Sequence, residues 1–121
     1  MIHNSVILIP TLNEKENLEK LVPAIFSLMP EVSVLIVDDN SSDGTPELTE
    51  NLKTRFENLF LLHRTDNRGY GRSSIDGFKL AIEKGYEAVV TMDADFSHDF
   101  NVVPAMLEKL EYSDIVVGSR Y

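Results

Sequence analysis

Five short, continuously apolar runs recur along this chain: SVILI at 5–9, VSVLIV at 32–37, LFLLH at 59–63, AVVTM at 88–92 and DIVVG at 114–118. Unbroken runs of this length, largely β-branched, suit strands covered on both faces rather than strands with one wet side. Between them the apolar spacing changes to the helical one. Leu18, Leu21, Val22, Ile25, Leu28 and Met29 follow the i, i+3, i+4, i+7 rule; Leu48, Leu52 and Phe56 mark a second helix, Ile75, Phe78 and Ile82 a third, and Val103, Met106, Leu107 and Leu110 a fourth. Strand and helix in alternation predict an α/β fold: a mostly parallel sheet of about five strands, with right-handed crossovers placing helices on both faces. All strand C-terminal ends then open on one edge, where sheets of this kind bind ligands.

The punctuation fits. Thr11 and Glu14 have capping-box spacing, Pro46 suits a first helical turn, and Gly85 suits a helix stop. Pro23 removes a helical hydrogen bond and predicts a kink or an interruption in the first helix. No long-period repeat or Gly/Ser-rich linker divides the chain, so its 121 residues, 43% of them hydrophobic, are expected to form one domain, 1–121.

Eleven basic and 20 acidic residues give a net charge of −9, which opposes binding to nucleic acid and requires a local cation for any phosphate-bearing ligand. The absence of cysteine excludes disulfides, thiolate catalysis and Cys-ligated zinc. The longest apolar runs, VILI and VLIV, fall far short of the ~20 residues that span a bilayer, and no secretory signal is visible. The expectation is a cytoplasmic chain, touching the cytoplasmic face of a membrane only through a surface or through residues outside this sequence.

Three strands run directly into polar loops: PTLNE (10–14), DDNSSDGT (38–45) and DADFSHD (93–99). Asp93 and Asp95, one residue apart, can present both carboxylates on one side of an extended turn, and hard oxygen ligands at that spacing suit Mg2+ or Mn2+. The alternative is that they solvate the loop or cap the next helix; the buried strand before them and the second acidic loop beside them favour the metal. A hydrated-loop histidine and a helix N-cap aspartate explain His98 and Asp99 as well as a role in the site does. Asp38 and Asp39 make either an ordinary turn or acceptors for a ribose hydroxyl or a base edge. NRGYGRSS (67–74) brings Gly69 and Gly71 together with Arg68 and Arg72 but lacks the GxGxxG and Walker patterns. Arg120, after the fifth run, can reach an anion at the same edge.

In order, VILIPTLNEKENL, LIVDDNSSDGT, VVTMDADFSHD and DIVVGSRY resemble the family 2 glycosyltransferases, most of all the polyprenol (dolichol) phosphate mannosyltransferase branch. The resemblance covers essentially the whole chain. It implies a GT-A, Rossmann-like fold and a metal-dependent, inverting transfer of a hexose to a polyprenyl or dolichyl phosphate. Mannose from GDP-mannose is the expected donor sugar, with a UDP-hexose as the other choice. Carried over position by position, it gives Pro10, Leu12, Glu14, Val37 and Asp39 to the nucleoside pocket and Asp93, Ala94 and Asp95 to the diphosphate and sugar. The metal falls to Asp93, Asp95 and Ser97, and Arg120 faces the phosphates, so that Asp93, Asp95 and Arg120 are the expected catalytic set. A lipid phosphate is already anionic and attacks the anomeric carbon without a general base. Leu12 stands where relatives often carry Tyr, and Phe100 where a proline is common. Relatives continue beyond GSRY, so the chain is expected to be the N-terminal, nucleotide-binding portion of a longer enzyme. Two other readings stand beside this one: a receiver-like Mg2+-binding signalling domain, and a noncatalytic nucleotide-sugar-binding fragment. Nothing in the sequence indicates an oligomeric state.

Overall fold

A computed structural model describes residues 5–65, 70–92, 94 and 115–117. In chain order they form β1 (Ser5–Thr11), α1 (Lys15–Leu28), β2 (Ser33–Asp38), α2 (Thr45–Lys53), β3 (Leu59–His63), α3 (Tyr70–Glu83), β4 (Ala88–Thr91) and β5 (Ile115–Val117). The five strands make one sheet in the order β3-β2-β1-β4-β5, and every pairing is parallel. Each predicted apolar run supplies a strand. The order reverses direction at β1, which places a topological switch point between β1 and β4. It also separates this fold from the 2-1-3-4-5 order of receiver-type sheets.

Strand alternation divides the core in two. Ile7 and Ile9 of β1 face α1 and α2, where they pack with Leu18, Leu21, Val22, Ile25, Val34, Ile36 and Leu52. Phe26 and Phe56 stack on that side with ring centroids 4.8 Å apart. Val6 and Leu8 point the other way and join Leu35, Val37, Val89 and Ala81, the last from α3. Helices therefore cover both faces, as expected, because the return from β3 to β4 crosses the sheet in the opposite direction to the two crossovers before it.

β1 runs two residues beyond its apolar run, through Pro10 and Thr11. This central strand tolerates Pro10 because of where its nitrogen lies. The β1–β4 pairing ends at Leu8 and Thr91, with the Met92 N–H donating to the Leu8 carbonyl at 3.1 Å. The next rung of that ladder would need an N–H from Pro10, which has none. On its other side β1 stays paired with β2 as far as Thr11 and Asp38. Pro10 thus ends the ladder at the switch point while the neighbouring pair continues.

Two helix terminators behave as predicted. Pro46 lies in the first turn of α2. At the end of α3, Gly85 has φ +83 and its N–H reaches the Ile82 carbonyl, while the Tyr86 N–H reaches that of Ala81, the paired bonds of a Schellman stop. Other expectations are corrected. Of the two outcomes expected at Pro23, interruption is ruled out, since α1 continues across it. Thr11 and Glu14 do not form a capping box, since Thr11 belongs to β1 and Glu14 makes no side-chain cap. The phase of α3 also differs: Ile75 and Ile82 are 54% and 73% exposed, and among the described residues of the helix the buried ones are Gly77 and Ala81, small residues that let the helix lie close on β1 and β2. Leu28, placed on the apolar stripe of α1, is likewise exposed, and Phe26 takes a place in the core.

Close approach at Gly77 is a packing requirement. A Cβ there would stand 2.5 Å from Leu8 Cδ1 and 2.9 Å from Val37 Cγ2, both on fully buried side chains. Gly77→Ala is expected to destabilise the chain by about 1–3 kcal/mol through overpacking, despite the better helix propensity of Ala. Urea denaturation of the two proteins measures this; a variant as stable as its parent would show that α3 sits further from the sheet.

Candidate active site at the carboxyl edge of the sheet

At the C-terminal edge, two loops are locked together through one buried carboxylate. Asp38 ends β2 with no exposure. Its Oδ1 accepts from the Thr11 hydroxyl at 2.8 Å and from the Ser41 hydroxyl at 2.6 Å, and its Oδ2 from the Ser41 N–H at 2.8 Å. Such bonds are what a buried anion needs. The Ser41 hydroxyl in turn accepts the Asn13 N–H at 2.7 Å, and the Asn13 side-chain oxygen accepts the Ser42 N–H at 2.9 Å. Asn13 and Asn40 have φ values of 55° and 61°, the left-handed region that asparagine tolerates better than most residues. They turn the chain sharply just past β1 and β2.

A second relay runs beside the first. The Glu14 N–H donates to the Thr45 hydroxyl at 3.2 Å, that hydroxyl donates to Asp43, and Asp43 also accepts the Lys15 N–H at 3.1 Å and the Thr45 N–H at 3.0 Å. The N-terminus of α1 is therefore capped by the loop that starts α2, the role that Thr11 and Glu14 were expected to fill locally. Burial pushes the Asp43 carboxyl up, but the Thr45 hydroxyl and the N–H groups of Lys15 and Thr45 outweigh it and hold the pKa below the ordinary 3.8.

Adjacent residues in a strand point to opposite faces, and Asp39 accordingly turns away from its neighbour. Its N–H extends the ladder to the Thr11 carbonyl at 3.0 Å. Its Oδ1 accepts from Arg64 Nη1 at 2.6 Å, and Arg64 Nε donates to Asp76 Oδ2 at 2.9 Å. Arg64 is the first residue past β3, and its side chain is 4% exposed. Nothing in the sequence motifs marks it. The available signal was physical: two acids leaving one buried strand need a cation, and the end of the neighbouring strand supplies it.

Among the remaining expected pocket residues, Pro10 and Val37 are register partners in β1 and β2, and the Val37 side chain lies in the core under α3. Leu12 stands 49% exposed at the sheet edge. Glu14 is half-buried at the start of α1, its carboxylate accepting from Asn17 Nδ2 at 2.8 Å. Ala94 is buried in the core on the α1 side. Asp93, Asp95, Ser97 and Arg120 lie outside the described residues, as do His98, Asp99 and Phe100. Among the described residues no cluster of three His, Asp or Glu side chains is placed to hold a metal. Arg72 is exposed in the first turn of α3.

Residues 6–121 match the family described as Glycosyl transferase family 2. The chain belongs to this family. The receiver reading therefore falls, as the strand order already required. The chain is 40% identical over 113 residues to an undecaprenyl-phosphate mannosyltransferase of Micrococcus luteus, covering 93% of this chain and 46% of that protein. It is 36% identical over 119 residues to a polyprenol monophosphomannose synthase of Mycolicibacterium smegmatis, covering 97% of this chain and 45% of that protein. It thus spans less than half the length of these curated relatives. Among solved structures it is similar to the mannosyltransferase PcManGT of Pyrobaculum calidifontis in complex with GDP-Man and Mn2+, with TM-score 0.65 and 26% identity over 78% of this chain and 28% of that one. A Staphylococcus aureus TarS structure shares the fold, with TM-score 0.67 at 19% identity over 90% of this chain and 32% of that one.

The bonds to Asp43 are expected to weaken in acid. Because the Asp43 pKa is lowered in the folded chain, its contribution is fully present above the unfolded value and is lost as pH falls through the folded one. Asp43→Asn is expected to melt below the parent at pH 7, with the gap closing as the pH is taken below 3.8. Thermal melts across that range measure it, and a gap independent of pH would overturn this expectation.

Proposed function

We propose that this domain binds a nucleotide-sugar donor at the carboxyl edge of its sheet, as part of an enzyme that transfers a hexose with inversion to a polyprenyl phosphate. GDP-mannose is the donor favoured, since the similar solved mannosyltransferase is in complex with GDP-Man and Mn2+ and the curated relatives are named for undecaprenyl-phosphate and polyprenol mannosyl transfer. The observation that carries the reading is the placement of Asp39. It stands at the end of β2, next to the strand that forms one wall of the switch point, with its carboxylate fixed by Arg64.

In this reading the β1 and β2 ends form the nucleoside pocket. Asp39 accepts hydrogen bonds from the base or the ribose, Leu12 offers an exposed apolar surface to the base, and the relays through Asp38 and Asp43 hold the two loops at a fixed spacing. Pro10, by ending the β1–β4 ladder, leaves the switch point open on the side where β4 leads into Asp93. Asp93 and Asp95 offer hard oxygen donors of the kind Mg2+ or Mn2+ takes, and with Ser97 they would hold the ion. Bound there, it supplies charge neutralisation for the diphosphate leaving group. Arg120 adds positive charge beside the phosphates. The acceptor, an anionic lipid phosphate, needs no proton removed before it attacks. It also brings the domain to a membrane surface, which we assign to the cytoplasmic face.

Isothermal titration of the full chain tests the reading. GDP-mannose with Mn2+ is expected to bind, EDTA to abolish binding, and Asp95→Ala to weaken it by at least about tenfold, the loss of one charged ligand contact. Equal affinity in EDTA would overturn the metal-assisted reading. Stronger binding of a UDP-hexose would move the donor assignment to uracil.

A further inference from the structure

We propose that Arg64 is a positioning residue for donor recognition: it sets the carboxylate of Asp39 in the orientation that meets the nucleoside and ties that orientation to α3 through Asp76. The inference rests on the assignment of Asp39 to the donor pocket and goes beyond it by naming the group that makes Asp39 selective.

Three observations carry it. First, Arg64 is anchored at both ends. Its N–H donates to the Asp38 carbonyl at 2.7 Å, and its guanidinium spans two carboxylates, with Nη1 2.6 Å from Asp39 and Nε 2.9 Å from Asp76. A planar guanidinium bonded at two of its nitrogens, on a residue whose backbone is itself tied to β2, has little freedom to rotate, and neither does the carboxylate bonded to it. Second, burial argues against a merely stabilising role. The Arg64 and Asp39 side chains are 4% and 10% exposed, and desolvating such a pair offsets most of its attraction, so an apolar replacement would serve stability as well. Third, the partners differ. Asp39 is nearly buried at the site edge, whereas the Asp76 side chain is 44% exposed on α3. Asp76 acts as an outer stay that stops the guanidinium from rotating with Asp39. Lysine, with a single ammonium point, cannot span both acids in this geometry.

The test compares two ligands on the full chain by isothermal titration with Mn2+: GDP, which requires the nucleoside pocket, and inorganic pyrophosphate, which does not. Arg64→Lys is expected to weaken GDP binding about tenfold, the worth of one charged hydrogen bond, while leaving pyrophosphate affinity within about twofold, inside the ordinary scatter of such effects. Asp76→Asn, at a half-exposed site, is expected to weaken GDP in the same direction by less, and it decides the question should Arg64→Lys fail to fold by circular dichroism. Unchanged GDP affinity in the folded variants would overturn the proposal, and so would an equal loss for both ligands, which marks general damage. If the parent chain binds pyrophosphate but not GDP, the donor-pocket assignment itself fails and takes the proposal with it; a parent that binds GDP normally alongside indifferent variants sinks only the role of Arg64.

Discussion

A carboxylate withdrawn completely from water, Asp38, holds the two loops from which the rest of the site is built. Isolated, such a charge would cost many kcal/mol to bury. Here the Thr11 hydroxyl and the Ser41 N–H and hydroxyl accompany it, one donor group from the end of β1 and the others from the loop after β2. The bonds that satisfy the charge are therefore the bonds that set the distance between the loops. Removing any one would leave a buried acceptor short and the loops free to part. The asparagines in left-handed conformation and the capping of α1 by Asp43 and Thr45 follow from that closure. A loop that turns this sharply leaves its helix N–H groups to be satisfied by whatever lies across from them.

Pro10 imposes a complementary constraint on the other flank of β1. On one side β1 and β2 stay paired as far as Thr11 and Asp38, and on the other the β1–β4 ladder stops where the proline has no hydrogen to give. One strand thus keeps its pairing on one flank and ends it on the other. This asymmetry is what a switch point provides in doubly wound sheets generally, and here a single residue type at a single position enforces it.

The strands were legible because their information is local: an unbroken apolar run is covered on both faces whatever covers it. The helix phases were only partly legible. In α3 the residues that determine packing are Gly77 and Ala81, which weigh little in an apolar count, while Ile75 and Ile82 weigh much and lie outside. Thr11 and Glu14 had the spacing of a local cap, yet the Thr11 hydroxyl serves a carboxylate 27 residues away, a choice that spacing cannot reveal. Within the site, the polar loops could be read from their position after buried runs, and the family from their order. Arg64 could not, because a lone arginine after a strand matches no pattern until the strand order sets it beside Asp39.

The adjacent acids of β2 show how one strand serves two layers. Ile36 and Asp38 share the face of α1 and α2, so Asp38 is spent on the loops that lead into those helices. Val37 and Asp39 share the face of α3, so Asp39 meets Arg64 and, through it, Asp76 of α3. A shift of one residue in the β1–β2 register would exchange these assignments: the loop-closing carboxylate would turn toward α3 and the one bonded to Arg64 would vanish into the loop network. The parallel register of Pro10 with Val37 and Thr11 with Asp38 is thus the quantity that decides which acid closes the loops and which meets Arg64. It is fixed far from the site, by the fully buried run from Val6 to Ile9, whose alternate side chains fit only one way between the two layers of helices.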